Sequence, residues 1–154
     1  MTRSGIGFDS HRLVTGRRLI LGGVEIEHTH GLDGHSDADV LTHAVIDALL
    51  GAAGLGDIGM HFPDTDPEYK DSDSLVLLAH AVGLIEAEGY AIGHIDATVI
   101  AQAPKLAPFR QTIAEQLADL LNGGTINVKF TTAEQMGALG RAEGIAALAV
   151  ATVS

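Results

Sequence analysis

The sequence predicts an α+β fold: one domain over residues 1–154, a mixed β-sheet with helices packed mainly on one face. Three observations predict it. Segments of alternating polarity open the chain, recur in its middle and close it. Long apolar segments with helical spacing lie between them. The resulting order, β, ββ, α, α, β, α, β, β, lacks the strict alternation of a doubly wound parallel sheet.

The first strand is "SGIGFDSHRL", where apolar and polar residues alternate. "RRLILGGVEIEH" follows as two short apolar runs around Gly22-Gly23, a hairpin signal. "SDADVLTHAVIDALLGAAG" is the strongest helix, because Val40, Leu41, Ala44, Val45, Ala48, Leu49 and Ala52 share one face. Ser36 or Asp37 is its expected cap, and Gly51 and Gly54 its expected end. "LGDIGMHFPDTDPEYKDSDS" reads as a long loop, a length that in compact domains often marks a lid. A second helix, "SDSLVLLAHAVGLIEAEGY", is capped near Ser72 and ends at Gly89. In "IGHIDATVIAQ" Ile95, Ala97, Val99 and Ala101 alternate as on a half-buried strand. Pro104 is expected to open a third helix over residues 104–121. "TINVKFTT", with Ile126, Val128 and Phe130 on one face, and "GIAALAVATVS" are the last two strands.

Charge and composition narrow the function. The net charge of −11 repels phosphate backbones, so no nucleic-acid partner is expected. An anionic small molecule can bind only where cations or backbone N–H groups reverse the local field. The chain has no cysteine, so a transition-metal site must draw on His, Asp or Glu. No apolar run reaches the length of a membrane span, and "MTRSGIGFD" has no signal-peptide core; a soluble cytoplasmic protein is expected. Nineteen glycines and the absence of tryptophan indicate close helix packing and a core light in large side chains, which favours an oligomer.

Two stretches carry candidate chemistry. In "GFDSHRL", Asp9 and His11 stand two apart and face the same way on a strand. In "GHSDADVLTHAVIDALLG", His43 lies one helical turn from both Asp39 and Asp47, either of which can orient its ring. Three N/O ligands with a fourth position open make a reactive zinc site. Each signal alone also fits a solvated or hydrogen-bonded residue, and spacing does not bring Asp9 to His43. "FTTAEQ" offers Thr131 and Thr132 as phosphate donors and Glu134 as a ligand for a hard cation. It also fits an ordinary strand end, and "AQAPK" fits an ordinary strand-to-helix connection.

Together "GIGFDSHRL", "LGGVEI", the run from Gly34 to Ser74, "VIAQAPKL", "NVKFTTAEQMG" and "GRAEGIA" resemble the 2-C-methyl-D-erythritol 2,4-cyclodiphosphate synthase family over essentially the whole chain. The resemblance implies a homotrimeric enzyme with active sites between subunits. Its substrate is a cytidine diphosphate derivative whose 2-phosphate attacks the β-phosphorus, releasing CMP and closing a ring. It implies zinc held by Asp9, His11 and His43, with a substrate phosphate oxygen at the fourth position. Magnesium or manganese is implied at Glu134. His35 and Thr132 are implied at the reacting phosphates, with Ser36 beside His35. Asp57, Ile58 and Gly59 are implied against the erythritol hydroxyls. Phe62, Pro63, Asp64, Thr65 and Asp66 match a mobile loop over that sugar alcohol. Ala101, Gln102, Ala103, Pro104, Lys105 and Leu106 match a backbone pocket for cytosine. Thr131 and Arg141 are implied near the phosphates. The chain departs from the pattern at Ala138, where the family commonly has a phenylalanine toward the trimer axis, and at Ala133, which removes one hydroxyl.

No strong base is needed, because the nucleophile is an ionised phosphate oxygen. Repulsion between phosphates is the main obstacle, and divalent cations relieve it. The alternatives are a hydrolase on the same triad, which would release a linear phosphate, and a non-catalytic module whose structural metal has four protein ligands.

Overall fold

A computed structural model describes residues 1–154. The strands are β1 (Arg3–Val14), β2 (Leu19–Leu21), β3 (Val24–Ile26), β4 (Gly31–Leu32), β5 (Ile92–Ile100), β6 (Thr125–Thr131) and β7 (Gly144–Val153). Five of them form one sheet in the order β4-β1-β7-β5-β6, and β2 and β3 form a separate hairpin. Only the β5–β6 pair is parallel, so the sheet is mixed, as expected. The helices are α1 (Val40–Ala53), α2 (Ile58–His61), α3 (Ser74–Ala87), α4 (Arg110–Ala118) and α5 (Gly137–Gly140). Helix α1 lies across β1, β7 and β5, α3 packs on α1, and α4 covers β6.

Helix α1 is the centre of the core. Val40, Leu41, Ala44, Val45, Ile46, Ala48, Leu49 and Leu50 have no exposed surface. A helix apolar nearly all round must be buried on several sides. Glycine lets it approach the sheet. A Cβ on Gly5 would lie 2.2 Å from the Ala48 carbonyl oxygen, and one on Gly7 would lie 1.9 Å from that of Ala44. Both distances are far inside van der Waals contact, so only glycine fits there. Ala147, Ala149 and Ala151 of β7 continue the small-residue floor.

The opposite face of the sheet is open. Ile6 is 71% exposed, Phe8 57%, Val150 48% and Leu148 38%. In β5 the alternation holds as predicted: Ile95, Ala97 and Val99 are buried, as is Ala101 just beyond the strand.

Several boundaries differ from the sequence reading. The cap of α1 is Asp39, whose side chain accepts the Thr42 N–H, rather than Ser36 or Asp37. Asp39 also accepts the Gly22 and Gly23 N–H groups at 2.9 and 2.7 Å, so it pins the β2–β3 turn to the helix start. Gly51 lies inside α1, and the left-handed Gly54 ends it. Asp73, not Ser72, caps α3. The third helix begins at Arg110 after a 3-10 turn at Ala107–Phe109. Pro104 follows a cis peptide bond and lies outside it. The long loop holds α2 and a 3-10 turn at Pro67–Tyr69, each started by an aspartate accepting a backbone N–H. The short β4 was not foreseen, because two residues carry no periodicity.

Candidate active site

Gly5, Gly7, Asp9 and His11 share one face of β1, the face that meets α1. The glycines let the helix settle, and the next two residues of that face reach the first turn of α1. His43 stands there. The Asp9 Oδ2 is 2.8 Å from His11 Nε2 and 3.1 Å from His43 Nδ1, and the two nitrogens are 3.3 Å apart. Donor atoms held at about 2.0–2.1 Å around a tetrahedral ion stand roughly 3.3 Å from one another, so the triangle suits zinc-sized coordination. Three lone-pair atoms this close repel unless a proton or cation lies among them. These three residues can hold a metal ion.

Their electrostatics agree. Burial of Asp9 opposes ionisation, yet the adjacent His11 and His43 imidazoles prevail and lower its carboxyl from 3.8 to about 2. Burial pulls His11 down, but the Asp9 carboxylate outweighs it and raises the imidazole above its ordinary 6.5. The outer nitrogens are engaged. His11 Nδ1 lies 2.8 Å from the Asp33 carbonyl oxygen, and His43 Nε2 lies 2.8 Å from Ser74 Oγ and 3.2 Å from Ser36 Oγ. Such partners fix the tautomer and orientation of ligating imidazoles.

The cluster opens into a cleft of about 430 Å³ that also includes His35, Ser36, Asp47, Ile58, Gly59, Phe62, Pro63 and Asp64. Most of the predicted sugar-alcohol residues therefore meet the predicted metal ligands. Asp57 starts α2 by accepting the Met60 N–H, Thr65 is exposed on the loop, and the Asp66 carbonyl oxygen is 3.1 Å from His35 Nε2. Phe62 anchors the loop: it is 6% exposed and packs edge-on against Tyr69 and His80.

A second groove is lined by Ala101, Gln102, Pro104, Lys105, Leu106, Thr131, Thr132 and Glu134, with Arg110 stacked over Phe130. It shares no lining residue with the first cleft. Asp9 and Val99 both pair with Ala147, so β1 and β5 carry them at the same level on either side of β7. Arg141 lines neither; it is exposed and paired with Glu143 at 2.7 Å.

A model of the YgbB family matches residues 2–154. The chain belongs to the YgbB family. The 2-C-methyl-D-erythritol 2,4-cyclodiphosphate synthase of Geotalea daltonii is 59% identical over 97% of this chain and 88% of that protein. The bifunctional IspDF of Campylobacter jejuni superposes with a TM-score of 0.95 at 44% identity, over 99% of this chain but 42% of the longer one. A 2-C-methyl-D-erythritol 2,4-cyclodiphosphate synthase solved with CDP gives 0.89 at 39% identity, covering 99% of this chain and all of that one.

Four features of this YgbB-family site were not foreseen. Asp39 does not orient His43; it is turned to the hairpin. Asp47 is not an orienter either, since its carboxylate accepts the Ile58 N–H at 2.7 Å and holds the start of α2. The hydroxyl beside His43 comes from Ser74, 31 residues downstream. Arg17 clamps the segment carrying His35 and Ser36 by donating to the Leu32 and Ser36 carbonyl oxygens, each at 2.9 Å. Only tertiary pairing brings Ser74 and Arg17 to the site, so local spacing held no sign of them.

Proposed function

We propose that this chain cyclises 4-diphosphocytidyl-2-C-methyl-D-erythritol 2-phosphate to 2-C-methyl-D-erythritol 2,4-cyclodiphosphate, a phosphorus–oxygen lyase step of non-mevalonate isoprenoid biosynthesis in the cytoplasm. The observation that carries this is the convergence of Asp9, His11 and His43 in a cleft, in a chain matched to the YgbB family from end to end.

An oxygen of the 2-phosphate attacks the β-phosphorus. The bond from that phosphorus to the bridging oxygen breaks, and the electron pair leaves with CMP. No proton has to move. The first cleft contains Asp9, Asp47 and Asp64 but no Lys or Arg, so it repels a polyanion by itself. Asp9, His11 and His43 would hold zinc and Glu134 would hold magnesium or manganese, and these ions would supply the positive charge that neutralises and polarises the phosphates. His35 and Ser36 hold the attacking phosphate, and Thr131 and Thr132 donate to the diphosphate, with Arg141 nearby. Asp57 to Gly59 and the Phe62–Asp66 loop position the sugar alcohol. The Ala101–Leu106 backbone receives cytosine, in keeping with the CDP-bound relative.

The working unit is a homotrimer with sites between subunits. Two features support this: metal cleft and nucleotide groove are separate within one chain, and the sheet leaves Ile6, Phe8, Leu148 and Val150 uncovered.

The test is incubation with the diphosphocytidyl substrate, zinc and Mg²⁺. Stoichiometric CMP and a cyclic diphosphate by phosphorus NMR are expected. A linear phosphate product would instead assign a hydrolase.

A further inference from the structure

His43 turns Nδ1 toward Asp9 and His11, so it ligates only while that nitrogen carries a lone pair. The competing tautomer places a hydrogen on Nδ1 and donates it to Asp9 Oδ2, 3.1 Å away. Which form prevails depends on what faces Nε2.

Two hydroxyls face it. Ser74 Oγ is the closer, at 2.8 Å, and has no exposed surface; Ser36 Oγ is 3.2 Å away. The Ser74 hydroxyl also hydrogen-bonds Asp37 Oδ1. Asp37 in turn accepts the Ser74 N–H at 2.9 Å on one oxygen and the Asp39 N–H at 3.1 Å on the other. Counting donors gives the direction. A carboxylate already receiving two N–H groups offers no hydrogen, so the single hydrogen of Ser74 goes to Asp37. The Ser74 oxygen is then left to accept from His43 Nε2–H. We propose that Asp37 and Ser74 are positioning residues for the metal site: their relay places the hydrogen of His43 on Nε2 and leaves Nδ1 free to bind the ion.

Ser74 is not a nucleophile in this arrangement. It is sealed from the cleft, and its hydrogen faces a carboxylate rather than a general base. The chain of bonds also joins three elements. Asp37 precedes α1, Ser74 opens α3, and His43 sits in the first turn of α1, so the relay holds the α1–α3 contact and the ligand together.

The inference rests on the metal reading above, and its test separates the two. Long-range ¹H–¹⁵N spectra of the metal-free protein, labelled at histidine, should show His43 as the Nε2–H tautomer. In Asp37→Asn the new amide can donate to Ser74 and reverse its hydroxyl, so the Nδ1–H form should grow. Zinc affinity, read by competition with a chromophoric chelator, should fall about 10–100-fold in Asp37→Asn and in Ser74→Ala. A parent protein with His43 as Nδ1–H overturns the relay even if neither variant folds. Zinc affinities within threefold of the parent in both variants also overturn it. A parent that binds no zinc removes the metal reading and the relay with it.

Discussion

Asp9 is the residue on which the cluster turns, because one of its oxygens lies within 3.1 Å of both imidazoles. Its lowered carboxyl and the raised His11 give the metal-free site a definite response to pH. The Asp9 contribution to stability is present above 3.8 and lost only as pH falls toward about 2, so it is constant between pH 6 and 8. The His11 contribution has the opposite sense. It is complete below 6.5 and is lost as pH rises through the raised value. The difference in Tm between the metal-free parent and a His11→Gln variant should therefore shrink from pH 6 to pH 8. Zinc needs His11 unprotonated, so the Tm gained on adding zinc should grow across the same interval. Scanning calorimetry of both proteins checks this, and a parent-to-variant difference that widens with pH would contradict it.

At the scale of elements, the site depends on how closely α1 lies on β1. A Cβ at residue 7 would strike the Ala44 backbone, which cannot rotate aside. Gly7→Ala should cost at least about 2 kcal/mol, the scale of overpacking a tight core, and should loosen zinc by moving His43 from Asp9 and His11. Thermal melts with zinc titration measure both effects; an unchanged melting temperature would show that the helix has room the structure does not give it. This contact also explains what was legible in the sequence. Alternation in β1 put Asp9 and His11 on one face, and helical spacing put His43 on a strong helix. The approach of those two faces was not legible, because it follows from glycines meeting a carbonyl oxygen across 37 residues of chain. The start of the third helix was misplaced at Pro104 because proline favours a first turn wherever it occurs, while here the chain remains irregular until Ala107. The caps were each misplaced by one to three residues among neighbouring Ser and Asp side chains of similar capping strength. The motifs reached further along the chain than spacing did. They named residues in both clefts, though Arg141 lies in neither and Ser74 was missed.

For the whole molecule, charge and surface point the same way. The chain carries a net charge of −11, and no helix is long and apolar enough to cross a membrane. Four exposed apolar side chains, Ile6, Phe8, Leu148 and Val150, share the open sheet face. The proposed trimer buries that face. Sedimentation should give a trimer for the parent and smaller species for Phe8→Glu, with CMP release falling in step; a fully active monomeric parent would contradict the shared site. The central claim is that the three ligands of one chain leave a vertex for the substrate. Zinc K-edge absorption of the loaded protein tests it most directly. Two imidazole nitrogens and one carboxylate oxygen near 2.0–2.1 Å are predicted, with one further light atom that exchanges when CDP is added. A zinc ion held by four protein ligands, unchanged by CDP, would contradict it.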